Sequence, residues 1–105
     1  MIFPDFTVDL DDILIKGIFY FKKYIKNNNN ESVRRVVNEL KSHDLGLGDF
    51  SFKIYEIACI KKSNQCDIEF SITLEARLGE NEFSMYLYKM RLTPDLEFKR
   101  DELLG

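Results

Sequence analysis

The sequence is poor in the residues that build catalytic and metal sites. Histidine occurs once, as His43, and cysteine twice, as Cys59 and Cys66, in a chain of 105 residues. A histidine-activated nucleophile needs a base and an orienting acid beside a serine or cysteine, and zinc sites need paired ligands at short spacing. Neither pattern is present, and the acidic residues over 9–12 lack the glycine and final glutamate of a calcium loop. We therefore expect a non-enzymatic protein with no metal and no cofactor.

Long apolar runs and clustered charge of one sign are also missing. The 15 Lys and Arg residues are scattered among 18 Asp and Glu residues, and the net charge is −3, so the footprint of a nucleic-acid-binding protein is absent. Lysines interrupt the apolar stretch near residues 13–24, and residues 1–5 do not resemble a signal peptide. We expect a cytoplasmic chain with no nucleic-acid or membrane partner. Its two cysteines would then stay reduced, with a disulfide as the alternative.

Two helices are predicted in the first half of the chain. Over residues 9–26, apolar residues recur at the spacing of one helical face, namely Leu10, Ile13, Leu14, Gly17, Ile18, Phe21, Tyr24 and Ile25. Asp9 is the predicted N-cap, although the β-branched and aromatic residues leave a strand open as an alternative. A run of asparagines then connects to a second predicted helix over residues 31–43.

From residue 50 the apolar period changes to two, which predicts antiparallel strands. These strands are expected over about 50–61, 67–78 and 83–92. Leu96 and Phe98 would add a short fourth strand or a docking tail. Short turns make strands that are neighbours in sequence neighbours in the sheet. The predicted fold is a single α+β domain, residues 1–105, with two N-terminal helices packed on one face of a three- or four-stranded antiparallel meander.

The strand over 67–78 alternates most regularly, with apolar residues at even positions and polar residues at odd ones. We predict that the even side faces the helices and the odd side faces outward. A turn at residues 63–65 would pair Ile54 with Leu74 and Ile60 with Ile68. A turn at residues 79–82 would pair Leu74 with Leu87.

This predicted register creates an outer face that is a candidate surface for a protein partner. Its predicted binding residues are Tyr55, Asp67, Glu69, Thr73, Glu75, Tyr86 and Tyr88. Tyrosines give contact area with a polar handle, and carboxylates attract a basic partner. In the alternative, the C-terminal tail folds back and covers this face.

A second feature is the pair Ile15 and Phe19, which lies outside the main apolar stripe of the first helix. The pair would be an anchor for a partner or for a second copy of the chain. In the alternative, the apolar residues Ile2, Phe3 and Phe6 pack over it.

The function that follows from these features is protein binding. The concrete hypothesis is a small acidic inhibitor of the immunity or antitoxin type, which would neutralise a basic partner enzyme. One alternative is a cavity domain with a cystatin-like or nuclear-transport-factor-like layout, in which Glu56 and Lys89 point inward, unless a bulge near Tyr55 turns Glu56 outward. Another is a self-associating structural subunit, and we expect a monomer or a weak homodimer.

Overall fold

The computed structural model describes residues 9–61, 68–79 and 85–104. The elements are α1 (Leu10–Asn27), α2 (Glu31–Ser42), a short 3-10 helix (Leu47–Asp49), β1 (Phe50–Lys61), β2 (Ile68–Leu78), β3 (Met85–Leu92) and β4 (Phe98–Leu104). The predicted α+β class is confirmed, and the end of the chain forms a fourth strand. Because β4 pairs with β3, this segment extends the sheet instead of covering its outer face.

Both helices begin at a polar side chain that satisfies free backbone amides. Asp9 caps α1, as predicted, by accepting a hydrogen bond from the amide of Asp11 at 3.0 Å. Asn30 caps α2 by accepting from the amide of Val33 at 2.9 Å. α1 is therefore a helix despite its β-favouring residues. The Asp9 cap bonds to helix amides, and the apolar residues form one buried stripe only at helical spacing.

The core lies between the two helices and the inner face of the sheet. The buried helix residues are Ile13, Gly17, Phe21 and Ile25 on α1, and Val33, Val36 and Leu40 on α2. Leu10, which the sequence pattern placed on the buried stripe, is exposed. The closest approach is at Gly17, where an added Cβ would lie 2.3 Å from Leu74 Cδ1. Glycine at this position lets α1 approach the sheet closely.

The sheet order is β1-β2-β3-β4, with every neighbouring pair antiparallel, so the predicted meander is confirmed. Between β1 and β2 the pair Ile54–Leu74 forms as predicted, but the next pair is Glu56 with Thr73. Tyr55 is therefore the extra residue of a β-bulge. The bulge shifts the rest of the strand by one residue, so the predicted pairing of Ile60 with Ile68 is wrong.

The predicted register between β2 and β3 is also wrong by one residue. Leu74 pairs with Tyr88, where the sequence predicted Leu87. The predicted turn lies largely in residues 80–84, outside the described part of the chain. A one-residue shift moves every side chain of a strand to the other face. The observed register places Lys89 and Arg91 on the outer side, which avoids the high cost of burying charge in the core.

Candidate interaction surfaces

The outer face of the sheet is the side opposite the two helices. The alternation of the strands and the β1–β2 bulge place these described residues on it: Ser51, Lys53, Glu56, Ala58, Ile60, Glu69, Ser71, Thr73, Glu75, Arg77, Met85, Leu87, Lys89, Arg91, Arg100, Glu102 and Leu104. Both described helices contribute their buried residues to the core on the inner side. The outer face is thus available to a partner as far as the described residues show.

The structure separates the predicted binding residues into different environments. Glu69, Thr73 and Glu75 face outward as predicted, yet all three are buried. Tyr55 is exposed at the bulge. Asp67 lies outside the described residues.

Tyr86 and Tyr88 were wrongly predicted to lie on the outer face, because the register shift turns both into the core. The Tyr88 hydroxyl donates a hydrogen bond to Asp101 Oδ2 at 2.6 Å, and the Tyr86 hydroxyl donates to the carboxylate of Glu39. Burial, reinforced by these acceptors, raises the pKa of both phenols above the usual value. Their hydroxyl groups therefore stabilise the core, and neither ring is available for recognition.

Glu75 lies in the middle of the outer face beneath two cations. Arg77 donates a hydrogen bond from Nη2 to Glu75 Oε1 at 2.9 Å, and Lys53 Nζ lies 3.2 Å from Oε2. The hydrogen bond from Arg77 is the main cause of a Glu75 pKa below its usual value, and Lys53 lowers it further. The side chain is only 5% accessible, whereas that of Lys53 is 68% accessible. Among the described residues, the carboxylate is thus covered by long cationic side chains.

Glu69, at the other end of β2, is covered in the same way. Lys99 Nζ donates to Glu69 Oε1 at 2.6 Å, while guanidinium nitrogens of Arg91 and Arg100 lie 3.6 Å from Oε2. An irregularity in the β3–β4 pairing, between Arg91 and Leu92, makes this possible. Consecutive strand residues normally point to opposite sides, but here Lys99 and Arg100 both reach Glu69.

Counted over the described residues, the accessible charge of the outer face is therefore positive. Its described cations are Lys53, Arg77, Lys89, Arg91, Lys99 and Arg100, and its described carboxylates are Glu56, Glu69, Glu75 and Glu102. Glu69 and Glu75 are buried, whereas the side chain of Arg100 is 60% accessible. The prediction of an acidic surface on β2 therefore does not hold for Glu69 and Glu75.

Apolar residues occupy one corner of the same face. Leu87 on β3 lies opposite Leu104 on β4, and Met85 precedes them by one row. Met85 and Leu104 are both exposed. The cations of β3 and β4 lie toward the opposite end of this strand pair from Met85 and Leu104. An apolar corner of the outer face therefore borders a basic corner.

Sequence reasoning missed Lys89, Arg91, Lys99 and Arg100 as surface residues that act together. A usable signal was present in β3, because Lys89 and Arg91 occupy alternate positions and charged side chains are rarely buried unpaired. The pattern was ambiguous because Met85 and Leu87 share their parity. Nothing in the sequence indicated the irregularity that brings Lys99 beside Arg100.

Pockets suited to a small molecule are poorly developed in the described residues. Four cavities among the described residues have volumes of about 140 to 290 Å³, below the usual range of about 300–1,000 Å³ for ligand sites. Glu56 is exposed and lies opposite Thr73 on the outer face. The bulge thus turns outward the carboxylate that a cavity domain was expected to use.

Metal-ligating side chains, thiols and long helices were also compared over the described residues. No group of three or more His, Cys, Asp and Glu residues in the described ranges is arranged to hold a metal ion. Cys59 is an exposed free thiol, and Cys66 lies among residues 62–67, which are not described. The described helices include none with both the length and the apolar character needed to cross a bilayer.

Comparison with known proteins does not indicate a function for these surfaces. No protein-family model, no curated protein and no solved structure matches this chain significantly.

Proposed function

We propose that this chain is a non-enzymatic protein-binding module whose outer sheet face recognises an acidic, partly apolar surface of a partner protein. The observation that carries the proposal is the burial of Glu69 and Glu75 beneath cations that are themselves accessible. The expected basic partner rested on those carboxylates. With both of them covered, the charge that a partner meets favours an acidic surface.

A protein fits this face better than a nucleic acid does. Glu56 and Glu102 are exposed among the cations, and they would repel a phosphate backbone. The exposed Met85 and Leu104 offer apolar contact area, which protein interfaces combine with a charged rim. Inhibition of a partner enzyme, in the manner of an immunity protein or antitoxin, is one activity within this class.

The size of the face sets the expected strength of binding. Four strands spaced about 4.8 Å apart and about eight residues long give a surface on the order of 500 Å². A standard interface uses about 800 Å² from each partner. Binding through this face alone should therefore be weak and sensitive to salt, because charge contributes a large share.

The test compares two double variants with the same change in net charge. Lys89→Glu/Arg100→Glu reverses two outer-face cations, and Arg34→Glu/Lys41→Glu reverses two exposed cations on α2. Cross-linked complexes from the native host are identified for each variant and for the original chain, with folding checked by circular dichroism. We expect the original chain to capture a protein partner. The outer-face variant should capture at least about tenfold less of it, whereas the α2 variant should capture as much as the original chain. Capture should also fall as the salt concentration rises.

Other outcomes contradict the proposal. Equal capture by both variants would exclude the outer face as the binding surface. A complex that a nuclease destroys would show a nucleic-acid ligand in place of a protein.

A further inference from the structure

The solvent side of α1 carries two large apolar side chains that the core does not use. Ile15 is 66% exposed and Phe19 is 61% exposed. Both lie on the side of the helix opposite Ile13, Gly17 and Phe21, which face the sheet. Exposed apolar residues on the outer side of a helix indicate a contact when polar residues rim them.

Two charged residues on the same helix face rim the apolar pair and extend it into a stripe whose ends carry opposite charges. Asp12, Ile15, Phe19 and Lys22 follow one another at intervals of three and four residues, which places them on one face of the helix. An acid stands at the N-terminal end of the stripe, a base at the C-terminal end, and the apolar pair lies between them. Asp12 already has a loose ion pair with Lys16 at 3.5 Å, and both side chains remain accessible.

Phe19 is held in place by its neighbours. Its ring meets the ring of Tyr20 edge to face, with centroids 5.3 Å apart. Tyr20 in turn stacks on Phe98 of β4 at 4.5 Å. A partly fixed aromatic ring loses less conformational entropy when it is buried by a partner.

We propose that α1 pairs antiparallel with α1 of a second copy of this chain. Ile15 and Phe19 are equally distant from residue 17, and so are Asp12 and Lys22. A twofold axis beside residue 17 therefore sets Ile15 against Phe19 of the other copy, and Asp12 against its Lys22. Twofold symmetry makes each contact twice. A parallel, in-register pairing would instead oppose Asp12 to Asp12 and Lys22 to Lys22, so the charge pattern selects the antiparallel arrangement.

This proposal uses a different surface from the proposed function, so either can fail alone. One helix pair buries much less than the 1,200 Å² of a small stable interface, so we expect a dissociation constant on the order of 100 μM. Sedimentation velocity of the full chain at low salt should show a reversible dimer between about 10 μM and 1 mM. A monomer throughout that range would overturn the inference.

Charge variants test the arrangement itself. Asp12→Lys alone places two lysines opposite each other, and Lys22→Glu alone does the same with two acids. Exposed pairs each change affinity by about two- to fivefold, and both symmetric pairs reverse together, so each variant should dimerise about tenfold less. A 1:1 mixture of the two variants should recover dimers, because every charged contact between unlike chains is then attractive.

The recovery in the mixture distinguishes this interface from a general effect of net charge or of helix stability. Arg34→Glu/Lys41→Glu serves as the control and should leave the dimer unchanged. Failure of the mixture to recover, or a dimer lost only in Lys89→Glu/Arg100→Glu, would overturn the antiparallel α1 contact.

Phe19→Ser tests the competing occupants of the stripe. It should abolish the dimer while lowering the urea midpoint of the dilute monomer only slightly, because the exposed ring loses its edge-to-face contact with Tyr20. A drop as large as that caused by truncating a buried aromatic ring would show that the ring is covered within its own chain, for example by residues before Asp9, and would contradict the inference.

Discussion

The two faces of the sheet bury polar groups in different ways. On the inner face, Tyr86 and Tyr88 are buried in the core, and each hydroxyl donates a hydrogen bond to a carboxylate. On the outer face, Glu69 and Glu75 are as inaccessible as core residues, but accessible lysines and arginines cover them. Burial on the inner face thus depends on close packing, and burial on the outer face depends on charge pairing.

The largest expected difference comes from filling the closest contact on the inner face. Gly17→Ala adds a methyl group that would meet Leu74, which is fully buried. Overpacking costs about 1–3 kcal/mol, and alanine returns at most about 1 kcal/mol through its helix propensity. We expect a net loss of unfolding free energy of about 1–2 kcal/mol in urea denaturation.

Gly48→Ala is the matched control, because an added Cβ there meets no atom within 4 Å. It should leave the urea midpoint nearly unchanged. If both variants behaved alike, the close approach at Gly17 would not be a stabilising contact of α1.

The folded state should also lose stability in alkaline solution because of a buried tyrosine on the inner face. The pKa of Tyr88 is raised above its usual value of 10.0 by burial and by Asp101. The phenol therefore ionises at a lower pH in the unfolded chain than in the folded chain. Its contribution to the free energy of unfolding is complete below about pH 10 and is lost as the pH rises further. The loss is at most about 1.4 kcal/mol per pH unit for this group. Urea midpoints measured between pH 8 and about pH 11 check this slope.

Tyr88→Phe should flatten the alkaline slope while lowering stability at neutral pH, since Asp101 loses this hydrogen bond. Tyr55→Phe changes an exposed ring and should leave the slope as it is. An unchanged slope in Tyr88→Phe would contradict the assignment of the alkaline loss to this phenol.

The smallest expected effect belongs to the outer face in acid. Arg77 and Lys53 lower the pKa of Glu75 below its usual value of 4.5. The unfolded chain therefore takes up this proton first as the pH falls. The stabilising contribution is complete above about pH 5 and is lost as the pH falls through the folded pKa. Glu75→Gln should accordingly be less stable than the original chain at pH 7, and the difference should shrink between about pH 5 and pH 3.

Thr73→Val changes a neighbour on the same face without altering charge, and it should not alter the acid response. A difference between the original chain and Glu75→Gln that stayed constant with pH would show that ion pairing does not hold this carboxylate in place.

The sequence predicted the elements well because their signals are local. Asp9 caps α1 through amides two and three residues away, and the alternation of β2 is readable within one strand. The order of the strands followed from short connections. The predicted position of Glu75 on the outer side also held, because its polar neighbours Ser71 and Thr73 repeat the pattern.

The candidate surface was predicted less well because it depends on register. Packing between strands sets the bulge at Tyr55. It also sets the one-residue shift that buries Tyr86 and Tyr88. The Ile15 and Phe19 pair was found from sequence, since helical spacing alone places it outside the buried stripe.

The amino-acid pattern by itself determined that there are two helices, a meander, an apolar stripe on each helix and a polar side of β2, because each depends on residues near one another in the chain. Only the tertiary structure decided which side of β3 faces the core and which cations lie over Glu69. The physical reason is that a strand has two nearly equivalent registers until its partner and the cost of burying charge choose between them.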